Sequence, residues 1–163
     1  MDRPSADAFL DAFGGRFYVP MSQPIVGWLP FGWGAYDGEP ESLGLVVTLG
    51  PRRERCVVTT GVRPQSTTAI VHDLLFRRPE QSFRFPLTVE RAKTRIAVQG
   101  RERVFTSYAY RGEAVATATV RDLYVTVQAR SRHLAGLKLG LILPDALRDM
   151  LDSHPPTHTS QGS

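Results

Sequence analysis

The chain is short of cysteine, lysine and asparagine, and each shortage narrows the field. Of its 163 residues one is a cysteine, Cys56. A single thiol excludes an intrachain disulfide framework and a cysteine-based zinc cluster. There is no asparagine, and of 20 basic residues two are lysines, Lys93 and Lys138, which leaves 18 arginines. Asn and Lys have A/T-rich codons, whereas Arg, Ala, Gly and Pro have G/C-rich ones. The composition is therefore that of a high-GC bacterial genome, and part of the arginine excess is a codon effect rather than a phosphate-binding signature. Long apolar runs are also missing. The longest, such as 139–144, fall far short of the roughly 20 residues that span a bilayer. The first residues, Met1 to Asp7, are acidic and lack an apolar h-region. A secretory signal is not expected there, and the expected location is cytoplasmic.

Catalytic signatures are equally scarce. No Gly-x-Ser-x-Gly elbow, dinucleotide fingerprint or P-loop occurs. No two histidines sit four apart within an ordered helix, because Pro155-Pro156 separates His154 from His158. Neither a metal nor a cofactor is expected.

What is present describes a folded protein. Hydrophobic residues make up 42% and charged residues 22%, too apolar for a disordered chain. One domain is expected over 1–152, followed by a disordered polar tail at 153–163. Ser5 to Phe13 reads as a short helix ended by Gly14-Gly15. Residues 16–42 carry four prolines and four glycines without a sustained period, the mark of a long irregular segment. Leu43 to Leu49 and Arg55 to Thr60 read as a hairpin. Ser66 to Arg78 has a helical period, with Ile70, Val71, Leu74 and Leu75 on one side and Pro79 as its stop. From Ser82 the period returns to two and yields a tight-turned meander through Ala129. Residues 131–143 fit strand and helix alike, and Pro144 to Leu151 reads as a helix. The order predicts an α+β single domain. Its antiparallel sheet, made from the hairpin and the meander, packs against one central helix, with short N- and C-terminal helices beside it.

Charge is segregated. Residues 1–50 carry a net −4, residues 51–138 a net +10 and residues 139–163 a net −2, which together give the formal +4. A cationic centre between acidic ends invites an anionic partner, and it equally suits acidic ends that fold back on the centre.

Three stretches are candidate sites. The first is the Gly/Pro-rich aromatic loop 27–36, which holds both tryptophans, Trp28 and Trp33, with Phe31 and Tyr36. Rings on such a scaffold suit stacking on a ligand or docking into a partner pocket; they also suit a lid over the core. The second is Arg91, Lys93 and Arg95, two apart and so on one strand face, with Arg101 and Arg103 able to return beside them after a turn. Such a face can track a phosphate backbone, but it lacks interleaved aromatic rings, and a solvated face explains it as well. The third is Arg63 at the start of the 66–78 helix, where free amides can hold an anion. As catalytic groups only Tyr108, Tyr110 and His72 stand out. The two tyrosines share parity and can line a sheet concavity.

Two functional readings follow. The leading one is a non-catalytic partner- or ligand-binding or regulatory protein that uses the aromatic loop. The other is a small isomerase- or cyclase-like enzyme holding an apolar substrate between sheet and helix, where shape and a hydroxyl or two suffice. The expected partner is a protein or a small apolar ligand. Nucleic acid is less favoured, no membrane partner is expected, and homo-oligomerisation stays open.

Overall fold

A computed structural model describes residues 16–31, 42–62 and 89–153, except for the side chains of 29–31. The described residues are 63% strand and 14% helix. Among the described residues nine strands form one sheet: β1 (Tyr18–Pro20), β2 (Ile25–Phe31), β3 (Ser42–Leu49), β4 (Glu54–Gly61), β5 (Glu90–Val98), β6 (Arg101–Tyr110), β7 (Glu113–Val120), β8 (Leu123–Arg130) and β9 (Lys138–Leu141). The described helices are a single turn, α1 (Ser131–Leu134), and α2 (Pro144–Ser153). In space the strands run β1-β9-β5-β6-β7-β8-β4-β3-β2, and the sheet curls into a half-barrel.

The hairpin and the meander form where alternation and turn chemistry require them. The turns Gln99-Gly100 and Arg111-Gly112 each have two residues at positive φ (52° and 77°; 51° and 82°). A two-residue turn that matches the twist of its strands needs this conformation. One face of every long strand points into the curl. Val47, Cys56, Val58, Ile96, Phe105, Ala114, Ala116, Val125 and Val127 meet there with Tyr18 and Leu139 in one buried cluster. β3 and β4 are buried on both faces, since outward-facing Val46 and Val57 are 4% and 2% exposed. Their near-continuous apolar runs, Leu43 to Val47 and Cys56 to Val58, suit strands covered on both sides.

The α+β expectation is overturned. The described chain is dominated by one curled sheet, and α2 sits at its end instead of lying across its middle. The predicted central helix, 66–78, and the predicted N-terminal helix lie outside the described residues, as does the alternating segment from Ser82 to Thr88. Nor is the sheet purely antiparallel, because β9 pairs parallel with β5, Ala97 opposite Lys138. The error has a physical source. β1 and β9 are 3 and 4 residues long, and β1 and β2 lie in the Pro/Gly-rich segment that has no period. Such strands exist because distant partners satisfy their backbone groups. β1 pairs antiparallel with β9, Val19 opposite Gly140, and β2 pairs with β3, Trp28 opposite Leu45. The ambiguous 131–143 contains both structures, a helical turn and then a strand, with Gly136 at φ 78° reversing the chain between them.

Two contacts hold the curl. The Tyr18 amide donates to Thr60 Oγ1 on β4 at 3.2 Å, which brings an edge strand onto the inner face of the sheet. Arg16 donates to the Asp122 carboxylate in the β7–β8 turn. α2 then closes one end. Pro144 opens it and Asp145 lies in its first turn, where the helix dipole favours a carboxylate. Leu147, Met150 and Leu151 pack with Phe17, Trp28, Leu43, Leu45 and Leu123 in a second cluster.

Candidate functional site

A wide concavity lies where the short strands meet α2. It is an open groove of about 1140 Å³, lined by the 19–25 segment, the end of β5 with its turn, β9 and the first half of α2. Its size slightly exceeds that of ordinary small-molecule sites, about 300–1,000 Å³. Val19, Ala97, Lys138 and Gly140 share one sheet face by register, and that face forms the floor. Ile25, Leu141, Leu143, Ala146 and Met150 add apolar wall.

The local sequence explains the shape. Leu141-Ile142-Leu143 is a run of three apolar residues, too many for one strand face. Leu143 is left 71% exposed at the rim. Met21 follows β1 and is 53% exposed. Its amide donates to the Lys138 carbonyl at 2.9 Å, which fixes its backbone beside β9. The Met21 side chain lies over Gly140, where a Cβ would come within 3.1 Å of its Cγ. Glycine is what lets the thioether lie so low on the strand. Ser22 and Gln99 also line the groove, and both are non-glycine residues in the left-handed region, at φ 65° and 52°. Lys138 is the one ionisable side chain among the described lining residues.

The sequence candidates fall elsewhere. Trp28 is fully buried on β2, packed with Leu43, Leu147 and Met150. The Phe31 side chain, Trp33 and Tyr36 lie outside the described residues, as do Arg63 and His72. Arg91, Lys93 and Arg95 are exposed on one face of β5. Lys93 Nζ donates to Thr106 Oγ1 at 3.0 Å, and Arg95 faces Glu102 at 3.6 Å. Arg101 and Arg103 do not join them, because they pair with inward-facing Val98 and Ile96. The rings that the strand itself lacks come from its neighbour. Tyr108 stands directly opposite Arg91, and Tyr110 shares its parity. Both tyrosines therefore lie on the outer face and not in the concavity. Tyr108 packs against Val115, and Arg111 sits 5.5 Å from the Tyr110 ring centre. Threonines continue this face across the sheet, Thr106 opposite Thr117, Thr117 opposite Thr126 and Thr126 opposite Thr59.

An ion cluster ties α1 to the hairpin. Glu54 accepts from Arg130 Nε at 2.9 Å and from Arg132, and His133 Nε2 lies 3.1 Å from it. Arg130 also faces Glu113 at 3.6 Å. Here a carboxylate at the start of β4 neutralises cations at the end of β8. Part of the basic centre thus finds partners within itself. Among the described residues no group of three His, Cys, Asp or Glu side chains is placed to hold a metal ion. No helix among them is long and apolar enough to cross a membrane.

Sequence reasoning missed the groove because its walls come from segments far apart in the chain. Two signals were present: the surplus apolar residue in Leu141-Ile142-Leu143, and a lysine at 138, one of two in a chain with 18 arginines. Comparison with protein-family models, curated proteins and solved structures finds no match to this chain.

Proposed function

We propose that this protein is a non-catalytic binding protein that holds a small apolar ligand in the groove between β9 and α2, and that it works in the cytoplasm. The observation that carries the reading is the pairing of a groove with largely apolar walls and two large exposed apolar side chains, Met21 and Leu143, at its rim. Exposed apolar surface around a cavity marks an interaction site. Methionine suits such a surface because its unbranched, polarizable side chain adapts to different occupants. The described lining supplies Lys138, Ser22 and two glutamines, but no carboxylate, imidazole or thiol. That set favours holding a molecule over acid–base turnover, which needs a group whose pKa lies near the working pH. The lone buried cysteine, Cys56, is consistent with a reducing compartment.

Titration with a neutral, environment-sensitive apolar dye tests this. One saturable site is expected in the wild type. Leu143→Asp should leave stability within about 0.5 kcal/mol, as for other surface changes, and weaken dye binding by roughly tenfold or more, about 1.4 kcal/mol. Equal binding by the variant, or no binding by the wild type, would sink the reading. So would a wild-type dimer that Leu143→Asp dissociates and that binds dye only after dissociation.

A further inference from the structure

We propose that the ligand is a single-chain amphiphile with a carboxylate head, and that the Lys138 ammonium is its head-group contact. The proposal rests on the groove reading above and specifies its occupant.

The argument begins with charge. Lys138 is the single ionisable group among the described lining residues. It is exposed, and its side chain has no ion-pair or hydrogen-bond partner among the described residues. Its root is rigid, since the Lys138 carbonyl accepts from the Met21 amide at 2.9 Å and Ala97 stands opposite it on β5. A fixed root with a flexible four-carbon stem lets the stem lie along an apolar chain while the ammonium stays at the water boundary. An occupant without charge would gain nothing from this arrangement, and a cationic one would be repelled.

The number of charges selects the head. Along the same face of β5, Arg95 comes next after Ala97, and it already faces Glu102 at 3.6 Å. Among the described residues one positive charge is therefore open at the groove, and it matches a monoanion better than a phosphate dianion. Gln23 and Gln99 border the same groove, and their amide N–H groups are suited to a carboxylate oxygen.

The body of the ligand follows from the walls. Val19, Ile25, Leu141, Ala146 and Met150 offer aliphatic surface and no ring system to stack on. The groove is open, and Met21 over Gly140 can shift to admit chains of different length. An unbranched acyl chain suits an open aliphatic surface.

The test is displacement of the neutral dye from the full chain by hexadecanoate, hexadecanol and a hexadecyl ammonium salt, below their micelle concentrations. Hexadecanoate should displace dye at concentrations roughly five- to tenfold lower than hexadecanol, as expected of one added charge-assisted contact at a wet site. Added salt should narrow the gap. Lys138→Met should remove the gap between hexadecanoate and hexadecanol, and Lys138→Arg should keep it. Thermal melts of both variants should match the wild type, because the side chain is exposed. If hexadecanoate and hexadecanol compete equally in the wild type, or if Lys138→Met leaves the gap intact, the head-group proposal fails while the groove reading stands. If dye binds and none of the three displaces it, the acyl-chain occupant fails. If the dye itself never binds, the groove reading fails. Stronger retention on vesicles of anionic phospholipid than on free hexadecanoate would overturn the proposal in favour of a membrane surface.

Discussion

Tyr18 in β1 and Asp122 in the β7–β8 turn show what single side chains contribute where the curl closes. The Tyr18 ring fills the core, yet its hydroxyl is buried with no hydrogen-bond partner among the described residues. An unmade hydrogen bond costs about 1–3 kcal/mol of desolvation. Tyr18→Phe removes the polar atom and keeps the ring, so it should be neutral or stabilising by up to about that amount in urea unfolding. A loss above about 1 kcal/mol would show that the hydroxyl is satisfied in solution. Asp122 makes the opposite case. The hydrogen bond from Arg16 is the main cause that holds its carboxyl below the ordinary aspartate range, helped by a hydrogen bond from its own backbone and the charges of Arg16 and Arg121. A carboxylate whose pKa is depressed in the folded state stabilises it fully above the unfolded value, and that stability is lost as pH falls through the folded value. The Arg16–Asp122 contribution should thus be present at neutral pH and disappear below about pH 4. Melting wild type and Asp122→Asn across this range should show two curves that converge in acid. Curves that stay parallel would mean that the pair does not titrate with folding. Asp122 is largely exposed, so the effect should shrink in salt.

Among the elements, α2 carries the most consequence. Its buried side chains recur at Leu147, Met150 and Leu151, the i, i+3, i+4 spacing of one helix face, while Asp145, Arg148, Asp149 and Asp152 face water. That face covers Trp28, Phe17 and Leu43, and Met150 reaches the groove as well. Leu147 is fully buried, so Leu147→Ala should cost about 2–5 kcal/mol by lost transfer energy plus a cavity. Because the helix forms one groove wall, dye binding should weaken together with stability. Chemical denaturation showing under about 1 kcal/mol of loss would mean that α2 is not docked as described. The neighbouring β9 is held differently. It has four residues and owes its place to β1 on one side and β5 on the other, with Gln99 and Ala97 amides donating to Leu139 and Leu137 carbonyls at 2.8 and 3.2 Å. Pairing along both edges holds so short a strand in place.

At the scale of the whole molecule, the curl decides what each face can do. It turns Ile96, Phe105, Ala116 and Val127 inward and leaves the Arg91, Lys93, Arg95 row outside, on the same face as tyrosines and threonines from four other strands. It also carries β1 around to β4, so that both sheet edges, β1 and β2, are consecutive in the chain and joined by the 21–24 turn. The groove lies at this seam. An open, flat sheet of the same strands would keep its core pattern but would not bring the 19–25 segment, β9 and α2 to one place.

How far the amino-acid order alone reaches can be read from particular elements. The β3–β4 hairpin, the four-strand meander and α2 were legible residue by residue, because a period of two, tight Gly-containing turns and an i, i+3, i+4 stripe are local signals. The inward set of Val47, Val58, Ile96, Phe105 and Val127 follows from the same alternation. β1, β2 and β9 were not legible, since each is stabilised by hydrogen bonds to residues distant in the chain and carries little periodicity of its own. The class was misjudged for that reason: helical stripes are visible locally, and short strands are not. The groove was invisible for a related cause, because Met21, Lys138 and Leu143 become neighbours only when β1 pairs with β9. Sequence by itself determined which residues turn away from water on the long strands. The tertiary structure decided which distant segments meet, because pairing across a curled sheet depends on partners and not on local pattern.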